Sequence, residues 1–122
     1  MIHLNYRDSR PIYEQVRDGL RQLLMSGAIS PGEKLPSVRA LAAKLTINPN
    51  TIQRAYEALE KEGYVYTQLG KGTFAAQLSD VNADRRRELL AQFEQTASEL
   101  LFLGTPAEQL HERLREVEEK LK

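Results

Sequence analysis

Residues 35–62 read LPSVRALAAKLTINPNTIQRAYEALEKE, and this stretch decides the fold. Leu35-Pro36-Ser37 marks a helix start with Ser37 as N-cap, because a serine hydroxyl accepts an otherwise orphaned N–H of the first turn. Leu41, Ala42 and Leu45 form the inner face of this helix, which is short and ends near residues 44–46. Asn48 suits the N-cap of the next helix, and Pro49 suits its first helical position. Ile52, Ala55, Tyr56 and Leu59 recur at helical spacing, and Gly63 ends the run. Two helices of about 8 and 14 residues, parted by a turn of three or four, have the spacing of a helix-turn-helix.

Working outward, the pattern on the N-terminal side is a third helix. Ile12, Val16, Leu20, Leu23 and Leu24 place an apolar face on residues 11–26, with Pro11 at the first helical position and Gly27 as the stop. Before it, Ile2, Leu4 and Tyr6 alternate with polar residues, which fits a short strand or an extended arm. Ser30-Pro31-Gly32 is a turn. On the C-terminal side, Tyr64-Val65-Tyr66-Thr67 and Thr73-Phe74-Ala75 flank Leu69-Gly70-Lys71-Gly72, a small hairpin with a glycine-rich, basic tip. From about residue 80, Leu89, Leu90, Phe93, Ala97, Leu100 and Leu101 make an apolar stripe on a helix of about 20 residues that Gly104 ends. Thr105 and Glu108 have the spacing of a capping box. Leu110, Leu114, Val117 and Leu121 then follow at coiled-coil spacing. Two heptads make no stable free helix, so this segment must pack on its neighbour or on another chain.

Composition narrows the function. The chain has 122 residues and no Cys, which excludes a disulfide framework, a thiolate zinc site and a cysteine nucleophile. Its two histidines, His3 and His111, lie near opposite ends, so no metal-ligand cluster is visible. No apolar run approaches the roughly 20 residues of a membrane span. Asn5, Arg7, Asp8 and Arg10 interrupt anything like a signal peptide. The expectation is a soluble, cytoplasmic protein without cofactor or membrane partner. Glu57, Glu60 and Glu62 are explained by Lys61 and solvent, and Glu112, Glu116, Glu118 and Glu119 by a wet helix face. Arg85-Arg86-Arg87 is a solvated helix start. Gly70-Lys71-Gly72-Thr73 is no P-loop, since a glycine parts Lys71 from Thr73 and no helix begins there. No nucleophile is paired with a base, and no enzyme is expected.

What remains are parts suited to DNA. The outer face of the 49–62 helix carries Asn50, Thr51, Gln53 and Arg54 in its first two turns, with no acid before Glu57. Asn and Gln can bind adenine bidentately and Arg guanine, and the major groove admits one such helix. Arg39, in the first turn of the preceding helix, can span to a phosphate. Lys71 adds phosphate attraction where glycines permit close backbone approach. Taken singly, each of these also fits ordinary solvated surface. Their order along the chain is that of a winged helix-turn-helix.

Leu35-Pro36-Ser37-Val38-Arg39-Ala40-Leu41-Ala42 resembles the second-helix signature of the GntR family of bacterial transcription regulators. Residues 47–60, INPNTIQRAYEALE, resemble its recognition helix, and Gly70-Lys71-Gly72-Thr73-Phe74 its wing. With Pro11-Ile12-Tyr13 and Pro31-Gly32, the resemblance covers residues 10–76. It implies a regulator that binds a palindromic operator as a dimer, with recognition helix 49–62 in the major groove and wing 64–76 at the minor groove. Arg39, Asn50, Thr51, Gln53 and the Gly70 region match the family's DNA-contact positions; Arg54 is added from its place on the helix face. The candidate DNA-binding set is Ser37, Arg39, Asn48, Asn50, Thr51, Gln53, Arg54, Gly70, Lys71 and Gly72. Pro49 stands where other branches carry an Arg, so their base preference does not transfer. Only 44 residues follow Leu78, too few for an aminotransferase-like or acid- or sugar-binding domain. Two short helices resemble the YtrA branch, whose small C-terminal part serves dimerisation.

The expected architecture is mainly α: a winged helix-turn-helix over residues 1–78 and a two-helix dimerisation segment over 79–122. The candidate dimerisation residues are Leu90, Phe93, Ala97, Leu100, Leu101, Leu110, Leu114, Val117 and Leu121, because leucines on helices this small are most simply covered by a symmetric partner. The expected function is a homodimeric repressor of transcription. Two rivals stand beside it: a winged helix that docks on another protein, and a regulator sensing a small-molecule effector in a pocket between the C-terminal helices. The formal net charge is zero, yet it conceals a division. Residues 1–78 hold 10 Lys+Arg against 7 Asp+Glu, and residues 79–122 hold 7 against 10. The basic excess lies on the part expected to meet phosphate.

Overall fold

The computed structural model describes residues 2–77 and 81–121. The chain divides into two compact units, residues 1–82 and 83–122. The expected domain boundary between Leu78 and Ser79 lies outside the described residues. The first unit holds α1 (Ile12–Met25), α2 (Val38–Leu45), α3 (Pro49–Glu62), β1 (Val65–Gln68) and β2 (Gly72–Ala75). The second holds α4 (Ala83–Phe102) and α5 (Ala107–Lys120). A mainly helical chain with one small antiparallel sheet is what the sequence led us to expect.

The N-terminal residues settle as an extended arm rather than a strand. Gln15, a buried polar side chain, accepts the Asn5 N–H at 2.8 Å and donates to the carbonyls of Asn5 (3.0 Å) and Arg10 (3.2 Å). One glutamine thus satisfies the arm's backbone where a neighbouring strand is lacking. Ile2 lies close over Gly19, where a Cβ would stand 3.0 Å from it. Pro11 is the N-cap of α1 and not its first helical residue, for its ψ of 148° is still extended. Its carbonyl accepts the N–H groups of Glu14 and Gln15, and no side chain caps this helix.

Both predicted caps of the helix-turn-helix form. Ser37 Oγ accepts the Ala40 N–H at 3.1 Å, and Asn48 Oδ1 accepts the Asn50 N–H at 2.8 Å. Between them Thr46 adopts φ 57°, a left-handed conformation that a β-branched residue rarely takes. This closes the turn by directing the Ile47 N–H to the Ala42 carbonyl at 2.9 Å.

The core gathers Val16 and Leu20 of α1, Leu41 and Ala42 of α2, and Ile52, Ala55, Tyr56 and Leu59 of α3. Leu35, Val65 and Ala75 complete it and tie in the sheet. Each large aliphatic side chain fully buried here contributes about 1.5–3 kcal/mol. Two polar ties fix α3 in this setting. The Tyr56 hydroxyl donates to the Pro36 carbonyl at 2.7 Å, and Arg21 of α1 pairs with Glu62 at 2.6 Å. Burial pushes the Tyr56 phenol up to about 12, because the site cannot solvate a phenolate.

The hairpin pairs Val65 with Ala75, Tyr66 with Phe74, Thr67 with Thr73 and Gln68 with Gly72. Gly72, expected in the turn, is thus the first residue of β2. A third segment extends the sheet: Ala75 donates to the Glu33 carbonyl, Leu35 to the Thr73 carbonyl, and Lys34 bridges Phe74. Outward, the Tyr66 and Phe74 rings stack at 5.6 Å.

In the second unit neither helix contains a buried residue among those described. The expected capping box at Thr105 and Glu108 does not form. The N-cap of α5 is Pro106, one residue later, and no side chain caps the helix. Thr105 instead donates its N–H to the Leu100 carbonyl at 3.0 Å. The Arg85–Arg87 run is tempered by its own helix, Arg85 facing Glu88 at 3.7 Å and Arg87 bonding Asp84.

Replacing Tyr56 by Phe is expected to lower stability by about 1 kcal/mol, the worth of one hydrogen bond whose partner stays covered. The pH dependence checks the cause. The folded-state value exceeds the ordinary 10, so the tyrosine's stabilising effect is complete below pH 10 and lost as pH rises toward 12. Urea midpoints of the parent should fall across that window more steeply than those of Tyr56→Phe.

Candidate nucleic-acid interface

The core fixes which side of α3 faces outward. With Ile52, Ala55, Tyr56 and Leu59 buried, Asn50, Gln53, Arg54 and Glu57 are exposed on the other side, and Thr51 is half-buried. Ser37 and Asn48 each commit a side-chain oxygen to a helix start, so the capping that builds α2 and α3 uses part of their hydrogen-bonding capacity. Their remaining donors stay on the exposed surface. Arg39 lies exposed in the first turn of α2, and no carboxylate among the described residues pairs with it or with Lys71.

Two of the α3 side chains have partners that the sequence did not reveal. Gln53 Nε2 donates to Glu57 Oε1 at 3.1 Å, one helical turn on. Glu57 is therefore not merely solvated; it orients an amide on the outward face. The Arg54 guanidinium carbon lies 3.9 Å from the centroid of the Tyr13 ring. Asn50, Thr51 and Arg54 join Pro11, Ile12 and Tyr13 around an open recess of about 320 Å³.

The wing is joined to α3 by one acid. Glu60 Oε2 accepts the Thr67 N–H of β1 at 3.1 Å. With Glu62 held by Arg21, each of the three carboxylates read as solvated has a partner in the fold. At the tip Lys71 donates its N–H to the Gln68 carbonyl, Gly70 takes φ 77°, and Leu69 is almost wholly exposed. Gly72 takes φ 124°, and a Cβ there would stand 2.7 Å from Lys34 Cε. Lys34 thus lies against the base of the tip, a cation absent from the expected set. Its placement follows from a bridge to Phe74, 40 residues away, which no local pattern signals.

In the second unit the expected dimerisation residues are uncovered. Leu90, Phe93, Leu101, Leu114, Val117 and Leu121 are each half or more exposed, Leu100 is 36% exposed, and Ala97 and Leu110 are intermediate. Phe102 and Leu103, outside the expected set, are exposed still further. Phe93, Ala97 and Leu100 of α4 and Leu110, Leu114 and Val117 of α5 line an apolar groove of about 330 Å³. Among the described residues no group of three His, Asp or Glu could hold a metal, and no helix is long and apolar enough to cross a membrane.

Residues 12–75 match the family described as bacterial regulatory proteins, gntR family. The chain belongs to the GntR family. Among relatives of this family, the HTH-type transcriptional repressor YtrA of Bacillus subtilis (strain 168) is 36% identical over 124 residues, covering 100% of this chain and 95% of the relative. A crystal structure of a transcriptional antiterminator from Listeria monocytogenes EGD-e superposes with a TM-score of 0.85 at 31% identity, covering 99% of this chain and 92% of that one. The AraR DNA-binding domain in complex with operator ORR3 matches with a TM-score of 0.55 at 30% identity, over 61% of this chain and 89% of that one. GntR-family membership, a YtrA-like extent and the winged helix together make this chain a DNA-binding transcription regulator, not an enzyme.

Replacing Gly72 by Ala should destabilise the first unit by about 1–3 kcal/mol through backbone strain, with Lys34 displaced as well. Thermal unfolding followed by circular dichroism measures the loss.

Proposed function

We propose that this chain is a cytoplasmic homodimeric repressor that recognises a palindromic operator, its residues 1–78 binding DNA and its residues 79–122 holding the dimer together. The observation that carries this reading is α3 itself: one face locked in the core, the other presenting Asn50, Gln53 and Arg54 ahead of any acid. Asn50, Thr51 and Gln53 read base edges from the major groove. Arg39 and Lys71 hold phosphates, and Gly70 and Gly72 let the wing tip approach the minor groove. Ser37 and Asn48 serve at the helix starts where the backbone meets DNA. For Gln53 to read a base, its amide exchanges the Glu57 carboxylate for the base edge, so Glu57 sets a threshold against wrong sequences.

The dimer reading is supported by the uncovered leucines of α4 and α5. An apolar groove of this size, on helices that expose further leucines, is better filled by a second copy than by solvent. A two-fold axis in the protein matches half-sites spaced by about one turn of DNA, roughly 10 base pairs.

Four outcomes are expected. Selection from randomised duplexes should return an inverted repeat. Arg39→Ala should weaken binding about tenfold on every duplex, with the slope of log K against log salt shallower by about 0.9; Gln53→Ala should instead change preference at one base pair by about 1–3 kcal/mol. Both are read in shift assays at stated salt, and unchanged binding by both variants contradicts the site assignment. Sedimentation at micromolar concentration should show a dimer for the parent and a monomer for Leu114→Glu, whose side chain lines the groove of the second unit.

A further inference from the structure

Arg54 is held in an unusual way for an exposed arginine. Its guanidinium carbon lies 3.9 Å from the Tyr13 ring centroid, close enough for the cation to rest on the ring's π-face. The pair joins the first turn of α1 to the second turn of α3. No carboxylate among the described residues pairs with Arg54. Glu14, next to Tyr13 in the chain, accepts a hydrogen bond from the Tyr13 hydroxyl at 3.4 Å, and Arg10 is already bonded to Asp8 and Asp18. Beside the pair lies the open recess of about 320 Å³, which Asn50 and Thr51 also line.

We propose that Tyr13 and Arg54 form a clamp for one backbone phosphate of the operator, with Arg54 touching the DNA and Tyr13 acting as its positioning residue. The proposal rests on the reading of α3 as the helix in the major groove. Stacking engages the π-face of the guanidinium and leaves its N–H donors free at the edge, in a planar fork that matches two phosphate oxygens. The ring also restricts the rotamers of a long side chain before DNA arrives, so less freedom is lost on binding. Location favours phosphate over a base. Arg54 leans toward α1, while Gln53 bonds along α3 to Glu57. A side chain drawn to the α1 side of α3 lies away from the centre of the outward face, so it meets the wall of the groove, where the phosphates run, rather than the base edges on its floor.

The test uses the full chain, a duplex that the parent selects from a randomised pool, and an unrelated duplex of equal length. Arg54→Ala should weaken binding to both duplexes by a similar factor, about tenfold, and make the slope of log K against log salt shallower by about 0.9. Arg54→Lys keeps the charge but lacks the planar fork, so its slope should match the parent's while its affinity falls about threefold. Tyr13→Leu should weaken binding in the parent and add nothing to Arg54→Ala; Tyr13→Phe should bind like the parent. Melting curves show whether Tyr13→Leu folds, and if it does not, Arg54→Lys decides. The clamp is overturned if Arg54→Ala leaves the salt slope unchanged, if it shifts preference at one base pair, if Arg54→Lys binds like the parent, or if the Tyr13 and Arg54 effects multiply. A parent that selects no duplex from the pool overturns the DNA-binding reading itself, whereas a parent that selects one and fails only these variants overturns the clamp alone.

Discussion

Ile52 and Leu59 have no exposed surface, and the rest of the first unit is arranged around that fact. An amphipathic helix of 14 residues is marginal by itself, so α3 exists because α1, α2 and the base of the sheet cover its apolar side. Covering that side leaves the other to solvent. The rotation of α3, and hence which of its polar side chains face outward, is therefore a packing result. Tyr56 sharpens it: the ring belongs to the core, and the hydroxyl reaches the Pro36 carbonyl just before α2 begins. A rotation of α3 that exposed Ile52 would also break this bond and the Arg21–Glu62 pair at the far end.

The wing depends on the same helix. Val65 and Ala75 sit opposite each other in the hairpin and are both buried, so the base of the sheet is anchored while its tip extends outward. Glu60 links β1 to α3, and residues 32–35 supply backbone partners to β2. A hairpin of four-residue strands is too short to be stable alone. Its stability is borrowed from the core, and the Gly70–Gly72 tip is held at a set height by contacts that lie outside the hairpin.

The second unit presents the opposite case. Its helices have regular local structure and many charge pairs one turn apart, yet among the described residues none is buried. Pairs of this kind, on exposed surface, contribute only about 0.3–0.5 kcal/mol each. They do not substitute for a core. The apolar groove between α4 and α5 is thus an unfinished interior, and this is the physical support for a symmetric partner.

The sequence by itself determined the features that depend on near neighbours in the chain. The caps at Ser37 and Asn48, the stop at Gly63, the period of Ile52 to Leu59 and the family motifs were legible because a side chain reaches its own backbone, or the next turn, in a fixed geometry. The same local logic failed where a proline intervened, at Pro11 and Pro106, each taking the cap position itself. It also failed for the acids, since solvation explains any exposed carboxylate until its partner is known. Tertiary structure alone decided the long-range ties: Tyr56 to Pro36 across 20 residues, Arg21 to Glu62 across 41, Lys34 against Gly72, and the ring of Tyr13 under Arg54. No periodicity of 3.6 or 2 encodes such pairs. They exist because the folded core brings α1, the residue 32–35 segment and α3 within a side chain's length of one another, which is a property of the packed chain and not of any window along it.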